Sequence, residues 1–139
     1  MSDYKKPLPQ PDPVTTPYWE SLKNHEMKIQ RCNDTGKYFF YPRGLSPFTL
    51  SDNISWEPVS GQGTLHAFTI VYAMRAPGFA EEVPYVVAIV ELAEGAKLMT
   101  NLIEVEPDPA QIRIGMPVQL VYDDVTEDVT LPKFRPTSS

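Results

Sequence analysis

Residues 64–74 alternate in the manner of a half-buried strand, with Leu65, Ala67, Thr69 and Val71 on one face and Phe68, Ile70 and Tyr72 on the other. Residues 84–92 are instead almost continuously apolar (Tyr85, Val86, Val87, Ala88, Ile89, Val90), the pattern of a strand buried on both faces. Glu94-Gly95 predicts a hairpin turn into a strand over 97–105. Further strands are predicted over 118–122 and 129–134. Between the third and fourth, Pro107-Asp108-Pro109-Ala110 predicts a short helical turn with Asp108 as cap and Pro109 in the first position. Five strands with a helical element in that place follow the order of an OB barrel.

The first 60 residues carry a different pattern. Pro7, Pro9, Pro11 and Pro13 occupy every second position, which forbids helix and favours an extended arm over residues 1–14. Thr16 is read as an N-cap with Pro17 in the first helical position. Tyr18, Trp19 and Leu22 then share one side of a helix that ends near Asn24-His25. Met27 and Ile29 alternate with Lys28 and Gln30 in a strand running into Cys32. Asn33-Asp34-Thr35-Gly36 turns the chain, and Tyr38-Phe39-Phe40-Tyr41 returns it. Loops follow Pro42, Gly44 and Pro47, and a strand over 54–59 ends at Ser60-Gly61-Gln62-Gly63. The predicted organisation is therefore mainly β: an arm and helix (1–30), a small ribbon (31–58) and a five-stranded OB-fold barrel (59–139).

A net charge of -6 and a pI near 4.8 repel phosphate backbones, although Lys23, Lys28, Arg31, Lys37 and Arg43 cluster in sequence. From Gly61 onward five basic residues face eleven acidic ones. No apolar run approaches the roughly 18 residues of a membrane span. The N-terminus lacks the apolar stretch of a secretory signal, and Cys32 is the sole cysteine, so a cytoplasmic location is expected.

Two stretches suggest a metal knuckle. Residues 31–40 (Arg-Cys-Asn-Asp-Thr-Gly-Lys-Tyr-Phe-Phe) resemble the Cys-x-x-Cys-Gly opening of a rubredoxin-like zinc ribbon, and residues 42–49 (Pro-Arg-Gly-Leu-Ser-Pro-Phe-Thr) its second half. Pro17-Tyr18-Trp19-Glu20, residues 60–64, the segment 84–95 and Gly115-Met116-Pro117-Val118 complete a resemblance to the DUF35 family. These are zinc-ribbon proteins with a C-terminal OB-fold. Of the four expected cysteines only Cys32 stands; Thr35, Ser46 and Thr49 occupy the other positions. Neutral hydroxyls are poor zinc ligands, so no metal and no ribbon-bound cofactor is expected. Packing of Tyr38, Phe39, Phe40 and Phe48 should hold the ribbon instead. The resemblance implies a non-catalytic accessory subunit that docks on a thiolase-fold enzyme, with acyl-CoA as a ligand for its barrel half.

Other residue types were weighed for chemistry. Cys32 has no local base to make it a nucleophile. His25 and His66 stand far apart in sequence, and Gly61-x-Gly63 precedes a strand rather than the helix a phosphate loop needs. Asp123, Asp124, Glu127 and Asp128 lack calcium-loop spacing and read as a solvated acidic turn. Tyr18, Trp19 and Leu22 are candidate contacts as an apolar helix face, and so are Pro77, Gly78, Phe79 and Tyr85 at the loop that borders the ligand face in OB-folds. The competing function is an OB module for single-stranded nucleic acid, which needs a basic groove lined with aromatics. An enzyme in its own right lacks any triad or carboxylate pair. Homo-oligomerisation is left open.

Overall fold

The computed structural model describes residues 6, 8–75 and 78–137. The chain enters through α1 (Thr16–Lys23) and builds a small sheet from β1 (Lys28–Cys32), β2 (Tyr38–Phe39) and β3 (Ile54–Pro58) in the order β2-β1-β3. It then winds a barrel from β4 (Gln62–Val71), β5 (Tyr85–Leu92), β6 (Lys97–Leu102), β7 (Pro117–Asp124) and β8 (Thr130–Pro136). The barrel closes in the order β4-β5-β6-β8-β7, with β7 pairing back to β4. All pairs are antiparallel except β6 with β8. A 3-10 turn at Pro109–Gln111 lies between β6 and β7, and Asp108 caps it through the Ala110 amide at 2.9 Å. This is the mainly β, five-stranded OB-type barrel read from the sequence.

The helix begins one residue earlier than expected. Thr15 occupies the cap position without a side-chain bond, and Pro17 falls one place further in. Asp12 does the capping from outside, its carboxylate accepting the Val14 and Thr15 amides at 2.9 and 2.8 Å. Part of the expected arm, residues 1–5 and Pro7, lies outside the described residues; residues 8–12 form neither helix nor strand.

Two strand readings need correction. The register between β4 and β5 shifts between Leu65 and Ala67. Buried Leu65 therefore shares the core with Phe68 and Ile70, while Thr69 is exposed. An alternation counted through a bulge reverses its faces. β5 is not buried on both faces: Val86, Ala88, Val90 and Leu92 are buried, and Val87 and Ile89 only half-buried. The barrel is one layer thick, so its outer face is covered only where α1 and the small sheet pack.

One core runs through the whole chain. Tyr18, Leu22, Met27 and Ile29 belong to the same buried cluster as Leu65, Val90, Leu98, Val118 and Phe134. Gly61 turns the chain into the barrel at φ 82°. A Cβ on Gly63 would stand 2.7 Å from the Glu91 carbonyl oxygen and 2.8 Å from Val90. The two glycines thus serve a turn and a close strand approach.

Candidate functional site

The most open part of the barrel is the seam between β6 and β8. These strands pair only at Leu102 and Phe134, with the Ile103 amide donating to the Phe134 carbonyl at 2.7 Å. Pro132 brings no N–H to any neighbour; its carbonyl accepts the Thr100 hydroxyl at 2.8 Å instead. Where the strands part, a cleft of about 350 Å³ opens between Met99–Asn101 and Leu131–Lys133. Its far wall is Thr15, Tyr18 and Trp19 from α1 and its cap, with Phe40, Tyr41 and Pro42 from the small sheet's return.

The aromatic wall is built from within. Tyr18 is buried, edge-on to Trp19 at 5.1 Å and tilted against Phe40 at 5.2 Å. Burial raises its phenol pKa far above the ordinary value, with smaller contributions from Tyr41 and Tyr122, so it stays a neutral packing group. Trp19 is half-buried, and Met99 and Tyr41 are more than half exposed at the rim.

A second cleft of about 250 Å³ adjoins the first and shares Asn101 and Lys133 with it. Phe79, Glu82, Tyr85 and Val86 form one side and Ile103 to Val105 another, and Lys6 reaches in from the arm. Phe79 and Tyr85 face each other with ring centres 6.1 Å apart. The Asn101 amide donates to the Val86 carbonyl at 3.0 Å, and the Lys133 ammonium lies 2.5 Å from Asp123. The pair of clefts is therefore apolar at one end and polar with fixed cations at the other. Its lining holds no cysteine, histidine or serine, so it is equipped to bind and orient.

The candidate residues divide over this arrangement. Tyr18 and Trp19 line the larger cleft, and Phe79 and Tyr85 the smaller. Gly78 is buried beside Phe79, and Pro77 lies outside the described residues. Leu22 must be corrected: it is 0% exposed and belongs to the core, so it anchors the helix and presents nothing to a partner. The reading missed Tyr41, Met99, Asn101, Leu131 and Lys133. The signal was present in β6, where Met99 stands between buried Leu98 and Thr100 and must point outward.

The four knuckle positions do come together. Cys32 and Ser46 are both 0% exposed, and Cys32 Sγ lies 3.9 Å from the Thr49 hydroxyl. Hydrogen bonds from Ser46, then Thr35, stabilise the thiolate and bring the Cys32 pKa down to about 7. The Ser46 oxygen accepts the Phe48 and Thr49 amides at 3.1 and 3.3 Å. Asp34 ties the loops from outside, accepting from Asn53 at 2.9 Å, Thr49 at 3.1 Å and Ser51 at 2.5 Å. One thiol and three hydroxyls do not suit zinc. Among the described residues no group of three or more His, Cys, Asp or Glu could hold a metal. Aromatic packing explains less of this region than expected: Phe39 is buried, but Phe48 is 46% exposed and touches Phe39 only edge-on. A polar network supplements it.

The remaining candidates are structural. His25 stacks on Tyr122 at 4.8 Å and bonds the Asp124 carboxylate at 2.9 Å, which fastens the end of α1 to the barrel. His66 is exposed on β4. The acidic turn is largely paired, Asp123 with Lys133, Asp124 with His25 and Asp128 with Lys23. No helix among the described residues is long and apolar enough to cross a membrane.

A family model described as the C-terminal OB-fold domain of ChsH2 matches residues 56–123. The chain is 39% identical over 119 residues to a probable enoyl-CoA hydratase alpha subunit of Thermomonospora curvata, covering 86% of this chain and 36% of that protein. It thus spans about a third of that subunit's length. A DUF35 domain-containing scaffold protein of Methanocaldococcus jannaschii is 30% identical over 120 residues, covering 84% and 82%. Among solved structures, a chain of the Ltp2-ChsH2(DUF35) aldolase superposes with a TM-score of 0.82 at 33% identity, covering 93% of this chain and 98% of that one.

Proposed function

The chain belongs to the DUF35 family, and on that premise we propose that it is a non-catalytic accessory subunit of a thiolase-like enzyme acting on acyl-CoA thioesters. The observation that carries this reading is the near-complete superposition on the DUF35 chain of an aldolase complex, in a molecule whose own clefts can bind but offer no nucleophile beside a base. The paired clefts suit an elongated amphiphile. Trp19, Tyr41, Met99 and Leu131 would take the acyl part, while Asn101 and Lys133 lie where a polar portion would emerge. Trp19 and Tyr41 at one rim, with Phe79 and Tyr85 at the other, form the face turned toward the partner. Residues 31–58 act in this reading as a ribbon that has exchanged its metal for hydrogen bonds, with 1–30 as arm and helix and 59–139 as barrel. The lone unpaired thiol suits a cytoplasmic setting.

The test is to co-express the chain with thiolase-like enzymes of its native host. Calorimetry with acetyl-CoA then follows on the free chain and on the complex. Stable association, with no thiolase or hydrolase activity in the free chain, is expected. Failure to associate, together with tight binding of single-stranded oligonucleotide that weakens steeply with salt, would transfer the assignment to the nucleic-acid reading.

A further inference from the structure

The arm ends at both clefts. Thr15 forms part of the larger one, and Lys6 reaches into the smaller one. Lys6 makes its contacts there with a single segment: its ammonium lies 2.7 Å from Glu82 and 5.4 Å from the centre of the Phe79 ring. Although it stands near the chain's start, the Lys6 side chain is only 12% exposed. Phe79 in turn meets Tyr85, the first residue of β5 and part of the same cleft. The contact therefore ties the arm to residues 79–82 directly over the smaller cleft.

We infer that the arm is a strap and that Lys6 is its latch: it holds residues 79–82 against the smaller cleft, and access to that cleft requires the Lys6–Glu82 pair to open. The strength of the contact fits such a role. Glu82 is half exposed, and an ion pair of that kind is weak and screened by salt, so the latch is releasable. Its other end is firm, because the strap runs into α1, whose Tyr18 and Leu22 are fixed in the core. A partner that engages Trp19 and the strap would then change access to the neighbouring cleft. This role in regulating access rests on the acyl-CoA reading above; the latch itself does not.

The latch is tested by amide hydrogen exchange on the full chain without ligand. Lys6→Ala and Glu82→Gln should each speed exchange at residues 79–82 by roughly two- to fivefold, the range an exposed pair supports. The double variant should add little, since both changes break one contact. Raising salt should speed exchange there in the native chain and not in either variant. Unchanged exchange in Lys6→Ala, or fully additive effects, would overturn the proposal. Acetyl-CoA association, followed by stopped flow on the same proteins, should be faster in both variants. If exchange responds as expected while acetyl-CoA binds none of them, the latch stands and the ligand reading falls.

Discussion

Cys32 Sγ and the Thr49 oxygen are 3.9 Å apart, close to the sulfur–sulfur edge of about 3.8 Å that Zn–S bonds near 2.3 Å produce in a tetrahedron. The spacing of a metal cage thus survives in side chains that cannot bind one. Thr35→Cys, Ser46→Cys and Thr49→Cys together should give a chain that retains one zinc through gel filtration and melts higher, whereas the native chain retains none. Elemental analysis decides; a triple variant without zinc would mean these positions do not form a ribbon knuckle. Asp34 gives the same region an acid limit. Hydrogen bonds from Ser51, then Asn53 and Thr49, lower its pKa below 3.8. A depressed carboxylate pKa contributes stability that is present above the unfolded value and lost as pH falls through the folded one. Knuckle stability should therefore be complete at neutral pH and decline below about pH 4. Amide exchange at residues 46–53, followed against pH, should show that decline in the native chain, and Asp34→Asn should flatten it. An equally steep decline in Asp34→Asn would assign the acid sensitivity to other carboxylates, Asp124 first among them, since Thr130 and His25 lower its pKa in the same way.

The helix shows how an element can join a structural and a binding role in adjacent residues. Leu22→Ala should cost about 2–5 kcal/mol in a denaturant titration, because the side chain is fully enclosed. Trp19→Ala should change the melting temperature much less yet weaken the complex with the partner enzyme at least tenfold, as a rim aromatic at an interface does. Equal effects on folding and no effect on association would make Trp19 a second staple. Phe39→Ala should likewise cost about 3–5 kcal/mol, and Phe48→Ala clearly less, since Phe48 is 46% exposed. The elements themselves were legible because each had a period or a turn signal: Glu94-Gly95 ends one strand and starts the next, and Asp108-Pro109 caps its turn. What sequence could not give was the shift near His66, since a bulge leaves no mark in a list of apolar residues and reverses every face after it. The cleft was half legible. Tyr18, Trp19, Phe79 and Tyr85 stood out as large aromatics, but Lys133 and Asn101 acquire meaning only where β6 parts from β8. That parting depends on two strands distant in sequence and paired in parallel, which no local pattern encodes.

At the scale of the whole molecule, the arm, helix, small sheet and barrel share one core, and this changes which experiments are informative. Removing residues 1–26 would strip Tyr18 and Leu22 from the interior, so loss of association after that truncation would report unfolding rather than a lost contact. Surface variants at the cleft rims are the proper probes. The free chain supplies a cleft open to solvent, with Met99 58% and Tyr41 54% exposed; a partner seated on that rim would exclude water from the apolar end and strengthen the polar contacts of Asn101 and Lys133. Acetyl-CoA should then bind the complex more tightly than the free chain, by roughly 5- to 150-fold if the coupling has ordinary size. Linkage makes the prediction stricter than a comparison of two affinities. Whatever factor the partner adds to ligand binding, the ligand must add to partner binding, because both describe the same cycle. Calorimetry in both directions should close on one number, and Tyr41→Ala with Met99→Ala should shrink it while leaving the barrel folded. A complex that binds acetyl-CoA no better than the partner enzyme does alone, with subunit affinity indifferent to the ligand, would reduce this chain to a scaffold and leave its clefts without that role.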